Sequence, residues 1–182
     1  MGFLNLKGEE QDEKQYEAFM EELQAVEKEI RLISHALKND ELSSKEDFPI
    51  LLQELLEEQS VLGGFSQHLE WDESIAWDRV SDKIKINLYR IAQEAIYNVI
   101  KHAGCKEVEV YIRKNASFVE LSIIDDGKGF DLNKKRKGIG LKNMHSRLNS
   151  IGAGLDIISA SGKGTKIKIT IPTKILYHDP KE

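Results

Sequence analysis

The sequence has little of what extracellular, membrane-spanning and nucleic-acid-binding proteins need. Among its 182 residues Cys105 is the one cysteine, which excludes a disulfide framework and a cysteine-based zinc site. No apolar run approaches the length of a membrane span, and the amino terminus lacks a secretory pattern. Acidic residues outnumber basic ones by 31 to 26, and the two signs are interspersed, so no direct nucleic-acid contact is expected. These absences predict a cytoplasmic segment.

The first part of the chain carries a heptad pattern. Apolar residues recur every seven positions in two interleaved sets, which are Tyr16, Leu23, Ile30 and Leu37, and Phe19, Val26 and Ile33. This pattern predicts a helix whose apolar seam faces a partner helix. A polar stretch separates it from a second apolar helix, predicted over about 48–62. Two helices bury little surface alone, so we expect two chains to form a four-helix bundle and hence a homodimer.

The rest of the chain predicts a mixed domain. Strands are expected at 65–71, 107–113, 118–125, 155–160 and 166–171, and helices at 88–103 and 141–151. The fold class is therefore α+β. An antiparallel helical hairpin over 1–62 is followed over 63–182 by an α/β sandwich with helices on one face of its sheet.

Three glycine-bearing segments distinguish this second domain. They are IIDDGKGF at 123–130, GIGL at 138–141 and GKGT at 162–165. Asp125 ends an apolar strand, and its carboxylate can accept a hydrogen bond from an exocyclic amine such as that of adenine. Gly127 and Gly129 let the backbone turn sharply and approach a flat ring, because they have no Cβ.

The second glycine segment precedes a predicted helix. Gly138 and Gly140 stand where free backbone N–H groups and the positive end of the helix dipole favour phosphate oxygens. Four basic residues at 134–137 crowd the preceding loop. Phosphate contact and a solvated surface loop are both open readings of that run.

A polar flank of the helix predicted over 88–103 offers metal ligands. Glu94, Asn98 and Lys101 share this flank, opposite the apolar residues. Glu94 and Asn98 carry oxygen atoms of the kind that Mg²⁺ prefers, with phosphates and waters completing its octahedron. Taken alone, the same residues also suit a solvated polar face.

The order of these motifs resembles the ATP-binding domain shared by sensor histidine kinases, DNA gyrase, Hsp90 and MutL, over about 77–172. The resemblance implies ATP and Mg²⁺ as cofactors, with Asn98 and Glu94 at the metal. The nucleotide-binding residues that we expect are Asn98, Lys101, Asp125, Gly127, Gly129, Gly138, Gly140, Leu141, Gly162, Gly164 and Thr165.

Two stretches, QEAIYNVIKHA and GIGLKNMHSR, resemble most closely the sensor histidine kinases of the NarL- and DesK-like subfamily. There a dimerisation hairpin precedes the ATP-binding domain at the carboxy-terminal end of a longer, sometimes membrane-anchored sensor. His35, in EIRLISHALKND, resembles the phosphoacceptor segment of that hairpin. The resemblance implies His35 as acceptor, Glu94 as base, and a response regulator receiver domain as partner.

The acceptor segment departs from the family pattern. Ala36 follows His35 where an acidic residue is usual, and another register would place Lys38 at the acceptor position. A lysine at that position cannot take the role of the phosphoacceptor histidine. Two functions therefore stay open, a divergent histidine kinase and a non-enzymatic dimeric ATP-binding scaffold. A serine kinase of the anti-sigma-factor type shares the ATP domain but normally lacks the helical hairpin.

Overall fold

The computed structural model describes residues 47–132 and 139–177. The first predicted helix with its heptads and His35, and the loop residues 134–137 with Gly138, lie outside the described residues.

Four helices lie in the described part of the chain. They are α1 (Phe48–Gly63), α2 (Asp82–Asn98), α3 (Ile139–Ser150) and the short α4 (Thr173–Leu176). Helix α2 begins earlier than the predicted residue 88, because Ser81 caps it by accepting a hydrogen bond from the Ile84 amide at 3.4 Å. It continues as a π-helical turn, Val99–Ala103, and ends at Gly104 with φ of 59°.

The described residues form one five-stranded sheet. Its strands are β1 (Ser66–Trp71), β2 (Glu107–Lys114), β3 (Phe118–Asp125), β4 (Gly154–Ser159) and β5 (Thr165–Pro172), in the spatial order β1-β2-β3-β5-β4. β1 and β2 are parallel because α2 crosses over between them, and every other pair is antiparallel. The predicted α+β class is confirmed, and each predicted strand is present to within a residue at either end.

One face of the sheet carries the core. Alternate residues of β2, β3 and β5 are buried beneath the helices, and these residues are Val108, Val110, Ile112, Val119, Leu121, Ile123, Ile167, Ile169 and Ile171. Most residues on the opposite face are polar, and exposed residues there form ion pairs, such as Arg113 of β2 with Glu70 of β1 at 2.9 Å. This alternation is what a sheet with one solvated face requires.

Helix α1 belongs to this same core. Phe48, Leu52 and Leu56 have no exposed surface, and the Phe48 ring packs on Trp77 with 4.6 Å between ring centroids. This helix was predicted to be part of the dimerisation hairpin. In the structure its apolar face is buried against the sandwich. The physical reason is that an apolar helical face packs against whatever apolar surface is nearest, and periodicity does not name that surface.

No helix among the described residues combines the length and the apolar character needed to cross a membrane.

Candidate nucleotide-binding site

A cavity of about 520 Å³ opens between the helices and the carboxyl end of β3. It is lined by Ala95, Asn98, Val99, His102, Ala103, Ile123, Asp125, Lys128, Gly129, Phe130, Asp131, Gly140, Leu141, Ile157, Thr165 and Ile167. Six of the residues expected to bind nucleotide are in this set, namely Asn98, Asp125, Gly129, Gly140, Leu141 and Thr165. The volume falls in the range of ligand pockets, roughly 300–1,000 Å³.

Asp125 closes β3 with its carboxylate in this cavity. The residue is 7% exposed, and its Oδ1 accepts the Gly127 amide at 2.9 Å. Burial raises the pKa of the Asp125 carboxyl, and hydrogen bonds from Gly127 and Thr165 oppose that rise. The result is a buried acceptor whose hydrogen-bonding capacity is only partly used by Gly127 and Thr165.

The loop after β3 is folded tightly against the end of α2. The Lys128 amide donates to the Ala103 carbonyl at 3.0 Å. A Cβ on Gly127 would lie 2.6 Å from that same carbonyl oxygen, so the loop approaches only because residue 127 is glycine. Gly127 therefore contributes through its lack of a side chain, which leaves room for the Ala103 carbonyl.

The turn before β5 packs against the same loop. Gly164 has φ of 67°, and a Cβ there would collide with the Asp125 carbonyl oxygen. Gly162, with φ of 74°, faces open space. Ser159 joins the segments, because its hydroxyl accepts the Phe130 amide at 2.9 Å and donates to the Gly164 carbonyl at 3.0 Å. The sequence analysis did not identify Ser159, and a lone serine at the end of a strand gives no signal of such a role.

The polar flank of α2 meets the start of α3. Asn98 Nδ2 donates to the Glu94 backbone carbonyl at 2.7 Å and lies 3.3 Å from Glu94 Oε1. The Glu94 carboxylate also lies against Gly140, where a Cβ would collide with Oε1. Glu94 therefore contacts both Asn98 and the first turn of α3.

The π-helical turn separates two neighbouring basic residues. His102 lines the cavity, whereas Lys101 does not and instead lies with its Nζ 3.1 Å from the Tyr97 hydroxyl. Lys101 was predicted to bind the nucleotide, whereas His102 was not. The available signal was the i,i+4 spacing of His102 from Asn98.

The donors present fit Mg²⁺ bound together with a phosphate ligand. The side-chain nitrogen of Asn98 donates to Glu94, which leaves the side-chain oxygen of Asn98 available as a metal ligand beside the Glu94 carboxylate. In the described ranges no three or more His, Cys, Asp or Glu side chains form a metal-binding group. Such a sparse protein contribution is usual for Mg²⁺, which keeps waters and substrate phosphates as ligands.

Comparison with known families gives one match that covers half of the chain. The family described as histidine kinase-, DNA gyrase B-, and HSP90-like ATPase matches residues 83–175. This range contains α2 from its second residue, β2 to β5 and every residue that lines the cavity.

Curated relatives carry the names of sensor kinases. The sensor histidine kinase LiaS of Bacillus subtilis (strain 168) is 35% identical over 129 residues, which cover 70% of this chain and 34% of LiaS. DegS of the same organism, a signal transduction histidine-protein kinase/phosphatase, is 38% identical over 101 residues, covering 53% and 26%. The chain thus spans between about a quarter and a third of the length of these relatives.

Solved structures agree on the fold. The histidine kinase domain of the blue-light activated kinase from Erythrobacter litoralis EL346 matches with a TM-score of 0.60 at 15% identity, covering 74% of this chain and 66% of that one. The Acinetobacter baumannii histidine kinase AdeS matches with a TM-score of 0.57 at 17% identity, covering 86% and 83%. The chain belongs to the histidine kinase-, DNA gyrase B- and HSP90-like ATPase family.

Proposed function

We propose that this chain binds ATP with Mg²⁺, transfers the γ-phosphoryl group to a histidine, and passes it on to an aspartate of a response regulator receiver domain. The observation that carries the proposal is the buried carboxylate of Asp125 in a cavity of about 520 Å³ whose rim holds Asn98 and the start of α3. Its support from relatives is their naming as sensor histidine kinases.

Each part of the nucleotide has a proposed set of binding residues. The Asp125 carboxylate accepts the adenine amine, with Gly127 and Gly129 allowing the loop to approach the ring. Gly138, Gly140, Leu141 and the third segment, Gly162, Gly164 and Thr165, surround the phosphates. Asn98 and Glu94 hold Mg²⁺, which when bound neutralises phosphate charge. Lys101 can reach the phosphates if its side chain leaves Tyr97.

The acceptor that we propose is His35. Its unprotonated imidazole nitrogen attacks the γ-phosphorus, an N–P bond forms, the bond to the β–γ bridging oxygen breaks, and ADP leaves. Glu94 takes up the proton that the imidazole releases. An unprotonated imidazole is available as a nucleophile at cytoplasmic pH. We place this chain in the cytoplasm, as a homodimer formed through residues 1–62. The longer sensor of which it is part can be anchored by membrane segments.

The experiment is incubation of the full chain with γ-labelled ATP and Mg²⁺, followed by acid treatment. Wild type should take up label that acid removes, since phosphohistidine is acid-labile. Asp125→Asn should lose ATP binding with its fold retained, and His35→Gln should bind ATP but take up no label. Label on the His35→Gln protein would refute His35 as acceptor, and acid-stable label would point to a serine kinase instead.

A non-enzymatic ATP-binding scaffold is the second candidate function. One observation favours it, namely Ala36 in place of the usual acid. ATP binding by the full chain with no label transfer would support this candidate over the kinase.

A further inference from the structure

The loop after β3 contains an aspartate next to the one expected to read the base. Asp126 is exposed, yet a single oxygen of its carboxylate, Oδ1, accepts two backbone amides, that of Lys106 at 2.7 Å and that of Glu107 at 3.0 Å. An exposed carboxylate is usually solvated rather than engaged with two main-chain donors. This bond pair is therefore a built feature of the loop.

Asp126 continues the sheet by one step past its last regular pair. The β2–β3 ladder ends at Val108 opposite Asp125. Beyond it, the Asp126 amide donates to the Glu107 carbonyl at 3.4 Å, and the Glu107 amide donates back to the Asp126 side chain. The side chain thus replaces the backbone acceptor that the departing strand no longer offers.

The other side of the loop is fixed as well. The Lys128 amide donates to the Ala103 carbonyl at 3.0 Å, and Gly127 has no room for a Cβ beside that carbonyl. Residues 103–107, which join the α2 segment to β2, thereby hold the loop at two points. Gly127 lies between these two points in the chain, and its amide donates to the Asp125 carboxylate.

We propose that Asp126 is the positioning residue for base recognition: its Oδ1 clamps the start of β2 and thereby fixes where the Asp125 carboxylate meets the nucleotide base. The inference rests on the proposed function and deepens it, because it assigns the selectivity for an exocyclic amine to a residue that does not touch the nucleotide.

The acceptor atom, rather than the negative charge, carries this role. Hydrogen bonds from the Glu107 and Lys106 amides hold the pKa of the Asp126 carboxyl below its usual range, so the group is ionised at neutral pH. An asparagine side chain nevertheless offers the same Oδ1 in the same place. Asparagine and glutamate at this position therefore separate geometry from charge.

The test measures dissociation constants for ATP and for inosine triphosphate, in Mg²⁺, by calorimetry on the full chain. The variants are Asp126→Ala, Asp126→Asn and Asp126→Glu, with Glu73→Ala as an exposed acidic control distant in sequence from the loop. Inosine triphosphate has the same ribose and triphosphate as ATP but carries a carbonyl oxygen where adenine carries its amine. The ratio of the two constants therefore reports how the protein recognises that edge of the base.

We expect Asp126→Ala to weaken ATP binding about tenfold, since it removes the two hydrogen bonds that Oδ1 accepts. The binding of inosine triphosphate should weaken much less, so that the preference for ATP over inosine triphosphate falls. Asp126→Asn and Glu73→Ala should match wild type. Asp126→Glu, which keeps the charge but displaces the oxygen by one methylene, should lose preference as the alanine variant does.

Two results would overturn the proposal while leaving the proposed function intact. One is equal weakening of both nucleotides in Asp126→Ala, which a merely structural role would give. The other is wild-type preference in Asp126→Glu with loss in Asp126→Asn, which would make charge the determinant. If Asp126→Ala does not fold, the asparagine and glutamate variants still decide. A wild-type chain without ATP binding would refute both proposals together.

Discussion

Burial of the Asp125 carboxyl makes nucleotide recognition sensitive to acid. Its raised pKa means that protonation begins at a higher pH than for an ordinary aspartate, because burial penalises the charged form. The protonated group carries its own hydrogen and opposes the adenine amine, whereas it can donate to the carbonyl oxygen of inosine. As pH falls through that raised pKa, the preference for ATP over inosine triphosphate should decline.

Calorimetry with both nucleotides between pH 7 and pH 4.5 measures this preference. The triphosphate groups of the two nucleotides titrate alike, so their protonation cancels in the ratio, and titration of free ATP corrects for protonation of the adenine ring. A ratio that stays constant over the whole range would contradict a base-reading role for Asp125.

Two glycines of the third segment differ in what surrounds them. Both have positive φ, so alanine at either position costs about 1 kcal/mol of backbone strain. At Gly162 nothing lies within 4 Å of the added Cβ, whereas at Gly164 it meets the Asp125 carbonyl. Gly162→Ala should therefore lower the free energy of unfolding by about 1 kcal/mol, and Gly164→Ala by more than about 4 kcal/mol.

Urea unfolding of the two variants checks this difference, and calorimetry should show that Gly164→Ala loses ATP binding. Equal losses of stability in both variants would mean that the loop yields and that Asp125 is not held by this turn.

At the scale of elements, α1 shows how a helix can be predicted while its partner is not. Periodicity predicted the helix over 48–62, and it is present as Phe48–Gly63. Pro49 at its start and Gly64 with φ of 69° after its end explain these bounds locally. Nothing local states that Leu56 packs in the core of the sandwich.

A matched pair of substitutions on α1 tests that packing. Leu56 has no exposed surface, and Val61 is 82% exposed. Leu56→Ala should lower the free energy of unfolding by about 2–5 kcal/mol, because it leaves a cavity in the core. Val61→Ala should change it by less than about 0.5 kcal/mol. Chemical denaturation followed by tryptophan fluorescence measures both, and a neutral Leu56→Ala would separate α1 from the core.

At the scale of the whole molecule, α1 also decides where the ATP-binding domain can begin. Phe48, Leu52, Leu55 and Leu56 are buried, and burying one large apolar side chain stabilises by about 1.5–3 kcal/mol. The burial of these four side chains together therefore contributes about as much as the entire net stability of a typical domain, which is about 5–15 kcal/mol.

A chain that begins at Gly64 should therefore fail to fold cooperatively, whereas one that begins at Leu42 should fold and bind ATP. Thermal melting followed by circular dichroism distinguishes the two. Normal melting and ATP binding by the shorter chain would support the predicted boundary between residues 62 and 63.

The fold was largely readable from the sequence, because strand alternation and helix caps are local. The 118–125 strand was predicted with its observed bounds, and Asp125 was placed at its end. The site was readable as a set of motifs, since six of the expected residues line one cavity. His102 and Ser159 escaped prediction because a π-helical turn and a cross-loop hydrogen bond depend on neighbours distant in sequence.

The sequence by itself determined the α+β class, the strand ends and the order of the glycine segments, because each depends on side-chain periodicity or on backbone freedom at one position. Tertiary structure decided which surfaces those elements share. It buried α1 in the sandwich, turned His102 rather than Lys101 into the cavity, and set Asp126 on the amides of Lys106 and Glu107. The physical reason is that packing and long-range hydrogen bonds are chosen among all available partners, and a local pattern does not name the partner.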